Sequence, residues 1–250
     1  MKKLGTLLCL STALLGADLA QANWTGNWLL GASAGWAQDN GLIEISGATV
    51  DSTTTTTVDR LRSDNFAGGV FGGYQIRCNR WIMGAELNLT WEDNNDDSVF
   101  ASETSSVATV SYDRDVTAGL TGRLGFEFWP WLAPYVRAGV ETSRDTLEVA
   151  FAPIDATTAL PIVPAAAGFG SNSERSWRGI LGIGVETPVP VFMGLTGRVE
   201  YGYHFKGKHI TASSEILEIA DPAPTGIFGI ATTRPAQHSV MASLVWNFMP

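Results

Sequence analysis

The chain has 250 residues and a net charge of −9 at pH 7, and 45% of its residues are hydrophobic. An acidic chain of this kind is a poor binder of nucleic acid. No run of about 18 apolar residues follows Gly16, which excludes a transmembrane helix in the rest of the chain. The distribution of the hydrophobic residues along the chain therefore decides the class of protein.

The N-terminus has the features of a secretory signal. Lys2 and Lys3 form a basic head, an apolar stretch follows, and Ala20-Gln21-Ala22 is a small-x-small cleavage site. Residues 1–22 are therefore predicted to be a signal peptide, removed on export, and residues 23–250 to form one domain. That domain keeps one cysteine, Cys78, predicted to be a reduced thiol in a turn, with an intermolecular disulfide as the alternative.

Side chains of alternating polarity follow much of the predicted mature domain. In the segment Trp81–Trp91, every second residue is apolar and the intervening ones are mostly small or polar. Successive side chains of a strand point to opposite faces, so this segment is a strand with one apolar face. Similar segments of roughly 10–14 residues, the length that a tilted membrane-spanning strand needs, begin near Trp28, Asn65, Asp115, Leu132, Ser176, Leu195 and Ser239.

The connections between these segments alternate in length. The long ones are residues 38–64, 92–107, 147–175 and 206–236, and the short ones are 78–80, 128–132 and 188–192. Outer-membrane barrels have this asymmetry, with short periplasmic turns and long external loops. The long connections are predicted to be mobile external loops, and both termini to lie on the periplasmic side. Alternation in Thr146–Phe151 and His209–Ile219 indicates strands that project beyond the membrane and leaves a ten-stranded count open.

The aromatic residues cluster at the ends of the predicted strands. Trp81 and Trp91 are ten residues apart, which corresponds to roughly 26 Å of height in a tilted strand, against an apolar band of about 25 Å. Amphipathic rings prefer the headgroup level of a bilayer. The predicted aromatic girdles consist of Trp28, Trp36, Trp81, Trp91, Trp129, Trp131, Trp177, Trp246 and Phe248. The predicted fold is therefore all-β: a single antiparallel up-and-down transmembrane barrel of about eight strands.

If the apolar faces meet lipid, the opposite faces line the lumen and carry charge. The predicted lumen network consists of Glu86, Asp115, Arg123, Glu127, Arg137, Glu141, Arg178, Glu186, Arg198 and Glu200. Charges in so narrow a space must pair, because an unpaired buried charge is very costly. Glu86, Arg123, Arg137, Arg198 and Glu200 are predicted to form its middle layer. A plug of ion pairs is the favoured interpretation, since eight strands leave little interior space; a narrow polar conduit for small solutes is the alternative.

These features resemble the OmpA/OmpX-type family of small outer-membrane β-barrels, often labelled a porin family and including surface antigens. The resemblance rests on the signal, on the first strand Gly31-Ala32-Ser33-Ala34-Gly35-Trp36, on the short-turn strand pairs and on the C-terminal strand with Trp246 and Phe248. It implies insertion into the outer membrane of a Gram-negative cell by the barrel-assembly machinery. The expected partners are outer-membrane lipid and lipopolysaccharide, with an extracellular ligand that the sequence does not identify.

No constellation for catalysis is apparent in the sequence. The three histidines, His204, His209 and His238, have no metal-ligand spacing, and His238 and Ser239 are strand neighbours that point to opposite faces. Glu200, on the same face as His204, lies four residues away, a rise of about 13 Å. The histidines are therefore predicted to lie at the surface or rim. The sequence predicts a non-enzymatic integral outer-membrane protein without a cofactor or metal: a structural, surface-exposed protein, or alternatively a small-solute porin.

Overall fold

The computed structural model describes residues 24–48, 54–93, 97–102, 106–153, 168–216 and 227–248. The predicted signal peptide lies outside them, as do Met249 and Pro250. The described strands are β1 (Trp24–Ala48), β2 (Thr54–Cys78), β3 (Trp81–Asp93), β4 (Asp97–Ser102), β5 (Ser106–Arg114), β6 (Thr117–Phe126), β7 (Ala133–Pro153), β8 (Gly168–Pro188), β9 (Leu195–His204), β10 (Ile210–Ile216), β11 (Ile227–Thr233) and β12 (Ala236–Asn247). No described helix is long and apolar enough to cross a membrane.

Eight of these strands close into a ring. The order is β1-β2-β3-β6-β7-β8-β9-β12, and β12 pairs with β1 again. Every pairing is antiparallel; Gly31, for example, lies between Phe71 of β2 and Val245 of β12. Closure leaves the ring without an unpaired edge. The predicted all-β, eight-stranded antiparallel barrel is confirmed.

The ring has an apolar outside and a polar inside. In β3, Leu87, Leu89 and Trp91 are exposed whereas Glu86 is buried. In β9, Val199 and Tyr201 are exposed whereas Arg198 and Glu200 are buried. This arrangement is the inverse of a water-soluble barrel, and it is stable where lipid rather than water covers the outer face.

The short connections were placed correctly. Asn79 and Arg80 form the turn between β2 and β3, and Asn79 adopts a positive φ of 55°, which asparagine tolerates better than most residues. Trp129 pairs with Leu132 across the next turn, and Gly194, with a φ of 86°, ends the turn before β9. Cys78 is a free, buried thiol at the last position of β2, next to the turn rather than in it.

At the other end, the connections predicted as loops form strands over most of their described residues, while residues 49–53, 94–96, 103–105, 154–167 and 217–226 lie outside the described ones. The alternation noted in Thr146–Phe151 and His209–Ile219 corresponds to parts of β7 and β10. β1 and β2 continue in register from the ring to the pair Ala48 and Thr54. β7 and β8 remain paired as far as Phe151 and Gly168. β5 pairs with β7, and β11 pairs with both β1 and β10, so the barrel extends beyond the ring. The hairpins add strands only to this extension, and the ring keeps eight.

The extension has the polarity of a water-soluble barrel. Its interior is an apolar core, which we call the apolar cap, formed by Ile43, Ile45, Val110, Tyr112, Leu147, Val149, Ile210, Ala212 and Ala231. These side chains come from five strands and recur at every second position, while alternating neighbours such as Glu44 and Glu148 are exposed. Because these residues alternate with polar ones, a strand places all of them on one face, where they pack in the core. Burial of each large apolar side chain then contributes about 1.5–3 kcal/mol.

Candidate functional site

Four charged side chains form a closed cluster inside the ring, which we call the inner tier: Glu86 of β3, Arg123 of β6, Glu186 of β8 and Arg198 of β9. Arg198 Nη1 lies 2.8 Å from Glu86 Oε1, and Arg198 Nε lies 2.9 Å from Glu186 Oε2. Arg123 Nε lies 3.5 Å from Glu86 Oε1, and Arg123 Nη1 also pairs with Glu186 Oε2. The two cations and two anions therefore neutralise one another across the lumen.

The inner tier is fully enclosed by neighbouring side chains. Its four side chains have an exposed fraction of 2% to 4%. Gln75 accepts a hydrogen bond from Arg123 at 2.6 Å and donates to Asn247 at 2.9 Å. The ring of Tyr135 lies 5.1 Å from the Arg123 guanidinium carbon. These contacts satisfy part of the hydrogen-bonding capacity of the buried guanidiniums, while Arg123 Nε and Arg198 Nη2 have no hydrogen-bond partner among the described residues.

A further ion pair lies beside the inner tier. Arg137 Nη1 of β7 donates to Glu200 Oε1 of β9 at 2.7 Å, and the Tyr135 hydroxyl donates to Glu200 Oε2 at 2.9 Å. The structure therefore places all five residues of the predicted middle layer inside the barrel, in two groups rather than one.

A second charged cluster, the outer tier, lies between the ring and the apolar cap. Arg114 Nη2 pairs with Asp39 Oδ1 at 2.9 Å, and Arg178 Nη2 pairs with Asp145 Oδ1 at 3.0 Å. Glu92 and Glu141 lie 3.5 Å and 3.6 Å from Arg114 and Arg178, respectively. Burial raises the pKa of the adjacent Tyr112 well above its usual range, so this hydroxyl stays protonated.

His204 joins the outer tier to a cavity in the lumen. Its Nδ1 lies 2.7 Å from Glu141 Oε1, and its Nε2 lies 3.0 Å from Ser239 Oγ. The three side chains line a cavity of about 50 Å³ that also borders Arg137 and Glu200. His204 lies at the last position of β9, at the rim of the ring, and faces the lumen with a partly exposed side chain. Sequence analysis missed its contact with Glu141, which lies on a strand two positions away in the ring. No group of three potential metal ligands occurs among the described residues.

The structure brings together eight of the ten residues predicted for the lumen network: Glu86, Arg123, Arg137, Glu141, Arg178, Glu186, Arg198 and Glu200. Asp115 is not among them. It and Val116 form a break between β5 and β6 in which both consecutive side chains are exposed, so the alternation shifts by one position. Glu127 lies at the short-turn end, 3.8 Å from the half-exposed Arg77.

Sequence reasoning missed Asp39, Glu92, Arg114 and Asp145. Asp39 and Glu92 fall in the connections 38–64 and 92–107, which the sequence predicts as loops, and Arg114 directly precedes the predicted strand start at Asp115. Asp145 lies near the end of the strand predicted to begin near Leu132, just before the predicted loop 147–175. Asp39 continues the inward series of β1 after Gly35 and Ala37, and Asp145 continues that of β7 after Glu141 and Ser143. Extending the period of two past Trp36 in β1 and past Glu141 in β7 would have found both.

The predicted girdle residues lie on the outer face. Trp28, Trp36, Trp81, Trp91, Trp129, Trp131, Trp177, Trp246 and Phe248 are all exposed. Several contact other rings: Trp28 lies 5.1 Å from Tyr74, and Trp129 stacks on Trp131 at 5.4 Å. They occur at the short-turn end and at the far end of the ring.

A closed antiparallel ring with apolar side chains outside and charged side chains inside defines a transmembrane β-barrel. The family model of the outer membrane protein beta-barrel domain matches residues 6–248. The chain therefore belongs to this family of the outer membrane. No curated protein matches the chain.

Three solved structures illustrate the likeness. Neisserial surface protein A is 10% identical over 86% of this chain and 99% of its own, with a TM-score of 0.37. The outer membrane protein OprG from Pseudomonas aeruginosa is 9% identical over 92% and 99%, with a TM-score of 0.39. The outer membrane protease OmpT from Escherichia coli is 10% identical over 89% and 97%, with a TM-score of 0.35.

Proposed function

We propose that this protein is a structural, surface-exposed component of the outer membrane whose lumen is closed to solutes. The observation that carries the proposal is the inner tier, in which Glu86, Arg123, Glu186 and Arg198 meet across the barrel with almost no exposed side-chain surface. An ion that passed this point would have to separate buried ion pairs, each strongly favoured once its partners have lost their water. This role requires no catalysis.

The apolar cap supports closure at the other end of the lumen. Ile43, Val110, Leu147 and Ile210 have no exposed surface. Hydrated ions do not enter a packed apolar core, because transfer of a charge into such a medium is very costly. Two barriers of opposite chemistry, the inner tier and the apolar cap, would therefore have to open for a solute to cross the barrel.

The alternative function is a narrow pore for small solutes. It is favoured by the cavity of about 50 Å³ beside His204 and by a second cavity of about 380 Å³ at the short-turn end, bordered by Gln75, Arg77 and Asn247. Arg198 of the inner tier borders the first cavity, and Gln75, which accepts a hydrogen bond from Arg123, borders the second. An eight-stranded ring has an interior just wide enough for side chains to fill, which favours the closed form.

Osmotic swelling of proteoliposomes separates the two functions. Vesicles that contain folded protein are placed in isosmotic solutions of a small sugar, and folding is verified by heat-modifiable electrophoretic mobility. The closed barrel predicts swelling no faster than that of protein-free vesicles. Swelling that decreases with the size of the sugar would instead establish the narrow pore.

We also propose that the outer face binds phosphate groups of lipopolysaccharide. Arg144 and Arg175 are direct cross-strand partners, both exposed, and Arg175 lies two positions beyond the girdle residue Trp177. Like charges directly opposite each other destabilise a strand pair, and a phosphate between them would offset that repulsion. The predicted signal peptide and insertion by the barrel-assembly machinery complete the proposed route to this membrane.

The lipid proposal is tested with vesicles of lipid A and of dephosphorylated lipid A. Arg175→Gln should weaken the preference for the phosphorylated vesicles about tenfold, since a charge-assisted hydrogen bond contributes about 1.5–3 kcal/mol. Arg62→Gln is the matched control, because Arg62 is exposed and lies opposite Asn40. Equal effects of the two variants would contradict the proposal.

A further inference from the structure

Ser239, His204 and Glu141 form a hydrogen-bonded series inside the barrel. Ser239 Oγ lies 3.0 Å from His204 Nε2, and His204 Nδ1 lies 2.7 Å from Glu141 Oε1. The three residues come from β12, β9 and β7, which lie within the consecutive strands β7-β8-β9-β12 of the ring. We propose that Ser239 is a nucleophile activated by His204 and Glu141, and that it accepts the acyl group of a small carboxylic ester in the lumen cavity.

The backbone opposite Ser239 leaves space for this arrangement. Gly202 is the direct cross-strand partner of Ser239. A Cβ atom at Gly202 would lie 2.6 Å from Ser239 Oγ and 3.4 Å from His204 Nε2. Any larger residue would therefore displace the serine hydroxyl from the imidazole, and glycine at this position permits the contact.

The order of the three groups matches the roles that nucleophilic catalysis requires. With its proton on Nδ1, His204 donates to the Glu141 carboxylate and presents the Nε2 lone pair to the Ser239 hydroxyl. Oγ bonds to the carbonyl carbon as its proton passes to Nε2, and the buried carboxylate stabilises the imidazolium. The alkoxide leaves with that proton as the alcohol. Water then attacks the acyl-serine with His204 again as base, which releases the acid and restores Ser239.

The cavity limits the substrate to a small molecule and supplies a cation. Its volume of about 50 Å³ is space for a few water molecules. Arg137 borders it, and Arg137 Nε is buried with no hydrogen-bond partner among the described residues. A guanidinium donor that borders the same cavity as Ser239 is suited to the negative charge that develops on the carbonyl oxygen. The expected substrate is a short, uncharged ester.

This inference goes beyond the proposed structural role and is independent of it. The proposed closure concerns passage through the inner tier and the apolar cap, whereas acylation requires only that a small neutral molecule occupies the cavity that borders Ser239. Acylation is measured on the protein itself, and conductance or swelling is measured on vesicles. Failure of one proposal is therefore distinguishable from failure of the other.

Methanesulfonyl fluoride, a small electrophile that modifies activated serines, tests the proposal. Folded protein in detergent micelles is treated with the reagent, and the adduct is located by mass spectrometry of peptides. The proposal predicts a single adduct on Ser239, none in Ser239→Ala, and an unchanged rate in Ser243→Ala, which removes another serine of the same cavity. No adduct on folded wild-type protein would overturn it.

A second variant separates activation from mere accessibility. His204→Gln keeps a polar side chain but removes the base. A general base contributes a rate factor of about 10²–10⁴, so this variant should lower the rate of adduct formation at Ser239 at least 100-fold. Folding of the variant is verified by heat-modifiable mobility. The same rate in His204→Gln and wild type would show an accessible but unactivated serine and would overturn the proposal. Hydrolysis of methyl acetate, a small ester suited to a cavity of about 50 Å³, should be lost in the Ser239→Ala protein.

Discussion

Replacement of Arg198 by glutamine removes one of the two cations of the inner tier. Arg198 contacts Glu86 at 2.8 Å and Glu186 at 2.9 Å, and its guanidinium carbon lies 5.3 Å from the ring of Phe71. In the variant, both carboxylates depend on Arg123 alone. Removal of one partner of a buried ion pair costs about 3–5 kcal/mol. The free energy of unfolding should fall by that amount.

The assay is equilibrium unfolding in urea of protein folded in lipid vesicles, followed by tryptophan fluorescence and by heat-modifiable mobility. A loss of about 4 kcal/mol with a slope of about 2 kcal/mol per molar lowers the urea midpoint by roughly 2 M. Arg77→Gln is the matched control, because Arg77 pairs with Glu127 at 3.8 Å and the two side chains are 38% and 33% exposed. An exposed pair of this kind contributes about 0–1 kcal/mol. Equal midpoints for Arg198→Gln and Arg77→Gln would refute the reasoning.

Three further predictions concern the apolar cap, the ring and the strand break. Leu147→Ala should cost about 2–5 kcal/mol and expose the extension to protease while the ring stays folded; an unchanged digestion pattern would count against a packed cap. Gly73→Ala should prevent folding, because the added Cβ would lie 2.2 Å from the Ala85 carbonyl oxygen. Gly122→Ala should fold, because the atom nearest to its added Cβ is 3.9 Å away. Equal folding yields for the two variants would contradict this prediction. Asp115→Asn should change the urea midpoint by no more than a typical surface substitution, about 0.5 kcal/mol, and a large shift would place Asp115 in the charge network.

The membrane-spanning ring could be predicted from the sequence because its pattern is regular. Between Trp81 and Trp91 every second side chain faces lipid, and no bulge interrupts the period of two. The positions of Glu86, Arg123 and Arg198 follow directly from that alternation. The contacts between neighbouring strands, Arg123 with Glu86 and Arg198 with Glu186, are compatible with the strand order, whereas the contacts across the lumen do not follow from it.

The extension could not be predicted in the same way because its polarity is inverted. In the ring, Leu87 and Leu89 face outward, whereas in the extension Ile43 and Ile45 face inward and Glu44 faces outward. A search for strands with an apolar outer face therefore ends at the tryptophans. Glu141 and Arg178 of the outer tier follow from the alternation in the ring, whereas Asp39 and Glu92 lie past the tryptophans of their strands and were missed for this reason.

The contact of His204 with Ser239 could not be predicted because it depends on register. His204 is the direct partner of Gln237, and Ser239 is the direct partner of Gly202. The histidine therefore reaches the serine diagonally across the β9–β12 pair, past a residue without a side chain. A shift of one position would point Ser239 toward the lipid.

Single-channel recording of folded protein in planar lipid bilayers tests the closed lumen most directly. The inner tier and the apolar cap predict a silent membrane after insertion, verified by recovery of folded protein from the bilayer. Steady unitary conductance steps from the wild-type protein would show an open path through both barriers and would contradict the account.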